Sequence, residues 1–493
     1  MRTLLSAALL FAAACTSTPE TTDLDAGQRS SEADAAPPPD SGASTEPPDA
    51  GEPPVDGGVY VVPQVSGIST LEDGNPDPNV VEVWIDALPF LGTLYEGRTL
   101  PMYGYNQQVP GPILNAKVGD QVIVHFNNAL SEETTVHWHG LRISSDMDGS
   151  PMIQTPIQTG ERFVYSFVVK DSGTFWYHPH VRANEQVEKG LYGMIVVHDP
   201  AEPVLPERAL MLDDVLVSDA GRVPFLSGHM EVMHGRTGNL LLTNGRPELA
   251  KVAVTKGGVE RWRIVNTANA RTMEISVTGA KWRVVGTDGG RIDPYTTDTL
   301  LLPVGQRYDL EVSFDRAGPV QLVSHVLTQN DRGQTEIVPV PVFEADAEDS
   351  ELTPPEISWP AIQLPERAVD RDVQLEFAAV SDPVTGLRWT INGGSHHMEP
   401  LFTFQQGNTV RMKLVNTAGP EHPFHLHGQF FEIVDDGRWF THQPGLKDVV
   451  LVPGLETVEI IAYLDNPGRW MAHCHILEHA EVGMMSEFLV QNP

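Results

Sequence analysis

One pattern recurs three times along this chain and restricts it to repeated β architecture. Gly119-DQVIVHFN-Asn128, Gly257-GVERWRIV-Asn266 and Gly407-NTVRMKLV-Asn416 each set a Gly and an Asn at the ends of an alternating apolar and polar run. Alternation is the signal of a half-buried strand, because successive side chains leave an extended backbone on opposite faces. Copies spaced about 140–150 residues apart mark an internal repeat, hence three like domains. The 493 residues allow that number on length alone. Val, Gly, Pro and Thr are abundant and no long helical period occurs, so the expected class is all-β.

A second feature lies near the C-terminus, where His473-Cys474-His475 is followed by His479 and Met484. On an extended strand His473 and His475 share one face while Cys474 points to the other. One short strand can then serve two metal sites. A thiolate, two imidazoles and a weak thioether form a blue-copper ligand set, which suggests an electron relay. Three more clusters are His137-Trp138-His139-Gly140, His178-Pro179-His180 and His422-Pro423-Phe424-His425-Leu426-His427-Gly428. Together the four hold ten of the 18 histidines. Even spacing puts His425 and His427 on one face, and the offset of three turns His422 the other way, with Cys474. His422, Cys474, His479 and Met484 therefore group as a mononuclear site. His137, His139, His178, His180, His425, His427, His473 and His475 remain for a separate polynuclear centre.

In this order HWHG, HPH, HPFHLHG and HCHxxxHxxxGM resemble the copper signatures of the three-domain multicopper oxidases, the family of laccases, bilirubin oxidase and cuprous oxidases. The likeness covers nearly everything after the N-terminal tail. It implies three consecutive cupredoxin-like Greek-key β-sandwiches: 59–203 with half of a trinuclear site, 204–352 without copper ligands, and 353–493 with type 1 copper and the other half. It further implies His137 and His425 on type 2 copper, and His139, His178, His180, His427, His473 and His475 on the type 3 pair. His422, Cys474 and His479 would hold type 1 copper with Met484 axial, giving about four ions in all. Gly173-TFWY-His178-Pro179-His180 echoes Gly468-RWMA-His473-Cys474-His475. Pro179 stands where Cys474 does, so the first domain cannot hold type 1 copper. The matching strand of the middle repeat reads Met273-Glu274-Ile275-Ser276, without ligands, and the middle domain is expected to be a spacer.

The family likeness implies that type 1 copper takes electrons singly from a reductant while the trinuclear cluster reduces O2 to water. His479 is the expected entry edge, since in the family this ring lies nearest solvent. Asp148, nine residues after His139, stands where the family has a carboxylate in the proton path, and such a group can relay protons. Bacterial relatives often carry Glu directly after the second type 1 His; here Ala480 stands there and Glu481 follows, the other candidate acid. The leading expectation is a laccase-like oxidase of phenols or aromatic amines. The alternative is a cuprous oxidase of periplasmic copper tolerance, using Cu(I). Those relatives carry a Met-rich insert beside type 1 copper, whereas the 14 methionines here are dispersed. Only Gly394-Ser395-His396-His397-Met398-Glu399 resembles a metal-collecting patch, and an exposed loop is its ordinary explanation.

Rival chemistries fit less well. Structural zinc favours paired cysteines and four ligands, which leaves Met484 and half the histidines idle. Di-iron carboxylate sites use a pair of Glu-x-x-His motifs on two helices, and no such pair is found here. Copper nitrite reductases distribute their ligands differently over two domains. A copper-free scaffold of the same fold would have lost ligands, yet all twelve positions are filled. The other eight histidines, His125, His198, His229, His234, His325, His396, His397 and His442, read as surface or satisfied core residues.

Charge and the N-terminus bound the setting. The net charge of −34 argues against nucleic-acid binding. Met1-Arg2-Thr3 followed by apolar Leu4–Ala14 resembles a signal peptide over 1–15, and Ala12-Ala13-Ala14-Cys15 resembles a lipobox. The expectation is an exported protein, either an envelope lipoprotein held only by its acyl anchor or a periplasmic or secreted form. Residues 16–58, with ten acidic residues against Arg29, read as a disordered spacer. With Cys474 given to metal, no disulfide framework exists. A chain holding both halves of its own cluster needs no second copy, so a monomer is expected.

Overall fold

The Gly and Asn of the threefold repeat acquire a physical reason in three dimensions. The computed structural model describes residues 62–492 apart from 96, 330–333, 384, 397–398 and 438–442. The signal-like start, Cys15 and the acidic spacer lie outside the described residues. Gly119, Gly257 and Gly407 have φ of +91°, +89° and +87°, left-handed turns that a Cβ would strain. The strands they open, Gln121–Asn128, Val259–Asn266 and Asn408–Asn416, each run inside a sheet with neighbours on both sides. Each closing Asn is buried. Its Oδ1 accepts the backbone N–H two residues on, from Leu130, Ala268 or Ala418 at 2.9–3.1 Å. Its Nδ2 donates to carbonyls of the following loop and of a distant one: Glu132 and Ile157, Arg271 and Leu302, Pro420 and Val452. The Asn thus satisfies buried backbone groups where the chain leaves the sheet.

Around these strands the chain builds three all-β sandwiches. In the first, Arg98–Tyr105, Val80–Tyr95, Gln121–Asn128 and Arg162–Val168 face Gly111–Lys117, Gly193–His198, Gly173–His178 and His137–His139. Ile85, Val124, Trp138, Phe175 and Tyr177 fill the space between. The third has two five-stranded sheets, one carrying Asn408–Asn416 and the other His422–Leu426 and Gly468–Cys474, over Phe377, Trp389, Leu414, Phe424 and Trp470. The middle sandwich pairs a seven-stranded with a five-stranded sheet over Trp262, Ile264, Leu310 and Phe343. In all three, an earlier strand of the domain lies parallel to the repeat strand: Val80–Tyr95, Glu207–Val215 and Arg371–Asp382. Parallel neighbours require a crossover, the mark of a Greek key rather than a meander.

Three short α-helices, α1 (Ala183–Gln186), α2 (His229–His234) and α3 (Leu477–Glu481), and one 3-10 turn, Ser145–Met147, lie among the described residues. α1 and α3 follow the HPH and HCH runs and pack against each other, and α2 of the middle domain packs on α3. The middle domain also meets the first at a buried charge network of its own. Arg263 is bidentate to Glu207 and, with Arg261, grips Asp309. Thr174, on the strand that ends at His178, donates to the same Asp309.

Candidate metal centre

Register brings the ligands together before any side chain is considered. His137 stands opposite His178 in one antiparallel pair and His425 opposite His473 in another. The two pairs meet face to face between the first and third sandwiches. The His137 ring stacks on His427 at 4.0 Å and the His139 ring on His425 at 3.8 Å, so each stack joins the two domains. His180, His427 and His473 converge their donor nitrogens within 4.8 Å of one another, as do His137, His425 and His427. The His139, His178 and His475 rings group at 5.0–5.8 Å between centroids. All eight imidazoles expected in the polynuclear centre are buried here.

Outer hydrogen bonds fix which nitrogen faces inward. Nδ1–H of His137, His178, His425 and His473 donates to the carbonyls of Asp148, Pro179, Asp448 and Cys474 at 2.8–2.9 Å. That of His427 donates to Asp148 Oδ2 at 2.9 Å. Each Nε2 is then left with a lone pair pointing at the others. His427 and His473 bring Nε2 to Nε2 at 3.0 Å, and His180 and His473 at 3.3 Å. Facing lone pairs repel, so the arrangement calls for a cation among them. Nε2 of His137, His178 and His425 and Nδ1 of His139 and His180 are buried without a partner, which a protein interior tolerates only where something else binds. Burial holds these rings below the ordinary imidazole range, His473 at about 4 and His139, His178, His180, His425, His427 and His475 well below it. Neutral imidazole is the ligating form. The residues fit a soft-to-borderline metal cluster.

Cys474 points the other way, into the third sandwich, as strand parity requires. Its Sγ lies 3.5 Å from His422 Nδ1 and 3.6 Å from His479 Nδ1. Burial pushes the thiol up, so a bound metal must displace its proton. Met484 is fully buried in the same apolar core as Cys474, Phe377, Trp389 and Ile476. The Trp389 ring flanks both His422 and His479, at 4.7 and 4.5 Å. The site has the sulfur, imidazole and apolar shell of an electron-transfer centre.

Two expectations need correction. His479, the expected entry edge, is not itself exposed: like His422 it is fully buried, with α2 folded over it. The ring's Nε2–H donates to the Met233 carbonyl at 3.2 Å, and the Trp389 indole pins the same helix through the Val232 carbonyl at 2.9 Å. The middle domain is therefore not a mere spacer. It roofs the sulfur site with α2 and reaches the histidine cluster with Arg307, whose guanidinium is bidentate to Asp448 at 2.5 and 2.6 Å.

The shell is built on two aspartates of matching design. The Asp148 carbonyl holds His137 of its own domain and its carboxylate holds His427 of the third. The Asp448 carbonyl holds His425 of its own domain and its carboxylate lies 3.1 Å from Nε2 of His139 in the first. Burial pushes Asp448 up to about 6 against the pull of Arg307. Asp148 was legible from its offset. Asp448 was missed; a Lys447-Asp448 pair abutting the apolar run Val449–Val452 was the available signal. Glu478 was missed too. It is fully buried, accepts the Arg236 N–H at 2.9 Å and Asn269 Nδ2 at 2.8 Å, and so anchors α3 beneath His479. Glu481 sits at the end of α3, where burial pushes its carboxyl up beside Arg182 and Glu185.

Histidines outside the clusters are accounted for locally. His125 meets Glu82, His198 meets Asn115 and His325 meets Ser276, all at 2.7–2.9 Å. His229 and His234 are exposed on α2, and His396 is exposed where its N–H donates to the Gly483 carbonyl at 3.1 Å. His397, Met398 and His442 lie outside the described residues.

Comparison with known proteins agrees with this geometry. Profiles described as multicopper oxidase match residues 93–202, 211–331 and 369–493. A multicopper oxidase of Mycobacterium tuberculosis is 31% identical over 421 residues, 77% of this chain and 81% of that protein. A laccase of Botryotinia fuckeliana is 28% identical over 80% of this chain and 79% of its own. A crystallised Campylobacter jejuni multicopper oxidase, described as a metallo-oxidase, superposes with a TM-score of 0.76 at 26% identity, covering 87% of this chain and 96% of that one. Copper is thus the metal that the two donor sets take, and the chain belongs to the three-domain multicopper oxidases, copper-dependent oxidoreductases that use O2 as acceptor.

Proposed function

We propose a laccase-like oxidase that takes single electrons from small phenolic or aromatic amine donors on the His479 side and delivers them to O2 at the eight-histidine centre. The observation that carries this is the juxtaposition of Cys474 with His473 and His475, which joins a sulfur site to a histidine-only site through one stretch of backbone. In this reading His422, Cys474, His479 and Met484 hold type 1 copper, His137 and His425 type 2, and the remaining six histidines the type 3 pair. Bound copper supplies reversible one-electron chemistry and the centre at which O2 is reduced. The chain's own groups orient and shield it: Trp389 and Phe377 exclude water from the sulfur site, and Asp148 and Asp448 fix the ring tautomers. Export, with or without an acyl group on Cys15, and a monomeric state complete the proposal.

A second reading, oxidation of Cu(I), has one observation in its favour. α2 carries His229, Met230, Met233 and His234, with His229 and Met233 one turn apart and Met230 and His234 likewise. Met230 is 67% exposed, and the helix touches His479. Thioether and imidazole suit Cu(I). Oxygen uptake separates the readings. The laccase-like one expects turnover on a phenol to exceed that on Cu(I) and to survive Met230→Leu with Met233→Leu. Dominant Cu(I) turnover that drops about tenfold in that double variant would move the assignment to a metal-ion oxidase. No uptake with either donor would overturn both.

A further inference from the structure

We infer that Arg307, supplied by the domain that contributes no ligand, is the positioning residue that fixes the ring orientation and tautomer by which His139 presents a bare Nδ1 to the cluster. Five rings of the centre, His137, His178, His425, His427 and His473, direct Nδ1–H outward to an oxygen and leave Nε2 inside. His139 is reversed. Its Nε2 lies 3.1 Å from Asp448 Oδ1, and Nδ1 is the buried nitrogen without a partner. A ring stacked at 3.8 Å on His425 can turn about its Cβ–Cγ bond without changing its outline, which exchanges Nδ1 with Cδ2, so packing alone does not choose whether Nδ1 faces the cluster. The acceptor on Asp448 does.

That acceptor is itself held. Both Asp448 oxygens are taken by Arg307 Nη1 and Nη2. The guanidinium has no freedom left: Nε donates to the Thr174 carbonyl at 3.0 Å, Nη1 also to the Gly305 carbonyl at 3.2 Å, and Nη2 also to the Asp288 carbonyl at 2.9 Å. All five of its N–H groups are used, and its backbone N–H is fixed to Asp288 Oδ1 at 2.8 Å. Thr174 belongs to the first domain, Asp288 to the middle and Asp448 to the third. One fully buried arginine thereby ties the three domains at the single carboxylate that reads His139. The bidentate grip matters, because a charge alone would let the carboxylate rotate off the ring.

The inference rests on the ligand assignment proposed above. It is tested on copper-loaded holoprotein with Arg307→Met, which keeps the volume, and Arg307→Lys, which keeps the charge but not the fork. Copper is withdrawn with increasing chelator while metal content and the blue band of the Cys474 site are followed. The expected result is loss of cluster copper at about 10–100-fold lower chelator in both variants, with the blue band retained as in the wild type. Retention of cluster copper at the wild-type level would overturn it. Parallel loss of the blue band would also overturn it, showing a general structural role. If neither arginine variant folds, Asp448→Asn decides by the same criterion. A wild type without cluster copper would refute the ligand assignment instead, so the two failures are distinguishable.

Discussion

Asp148 holds two rings from two domains with one residue, its carbonyl on His137 and its carboxylate on His427. Its Oδ1 is buried with no hydrogen-bond partner, placing a spare acceptor beside the centre where protons are consumed. Asp148→Asn keeps the shape and an acceptor for His427 but removes the charge. We expect turnover to fall about 10–100-fold with the blue absorbance of the Cys474 site unchanged; unchanged turnover would remove Asp148 from the mechanism. At this scale the ligands were legible because metal sites need rare residue types at set strand offsets. Asp448 and Arg307 were not. Their partners lie 141 residues apart, and no local spacing encodes a pairing between domains.

Strands carried their own evidence in period-2 alternation, and the repeat Asn residues show why the pattern had fixed ends. Asn266 is in the domain that contributes no ligand and binds the Arg271 and Leu302 carbonyls and the Ala268 N–H. Asn266→Ala would leave those groups unsatisfied at a cost of about 2–3 kcal/mol. Thermal unfolding should register a lower midpoint with an unaltered blue band, and a midpoint equal to wild type would contradict the role given to the repeat. α2 was invisible in the sequence for an equally physical reason. Six residues are too few to show helical periodicity, and the helix is held from outside, by Trp389 and His479, rather than by its own composition.

Across the whole molecule, the sandwiches are joined by buried charge and by neutral imidazoles that only metal satisfies. The first has a consequence for the reading of the middle domain: its role was hidden because Arg261, Arg263 and Arg307 look like ordinary alternating-strand cations until their partners are in place. The second has a pH consequence for the copper-free protein. Burial holds His422 at about 3 and His473 at about 4, against an ordinary value near 6.5. Below pH 6.5 the unfolded chain takes up protons that the folded chain refuses, so stability falls as pH drops from 6.5 toward 4 and is unaffected by these groups above 6.5. Each such ring contributes at most about 1.4 kcal/mol per pH unit in that window. Unfolding of apoprotein followed from pH 8 to pH 5 should show a midpoint flat at first and then falling; a midpoint that rises with acid would contradict the burial of neutral rings.

In the proposed assignment, Cys474 belongs to one copper site while His473 and His475 on either side of it belong to another. Visible absorption with metal analysis on wild-type holoprotein and on Cys474→Ser separates the two sites. The wild type should show an intense blue band, and the variant its complete loss with a drop of about one copper per chain and the cluster copper retained. A colourless wild type loaded with copper, or a variant that keeps the band, would contradict it.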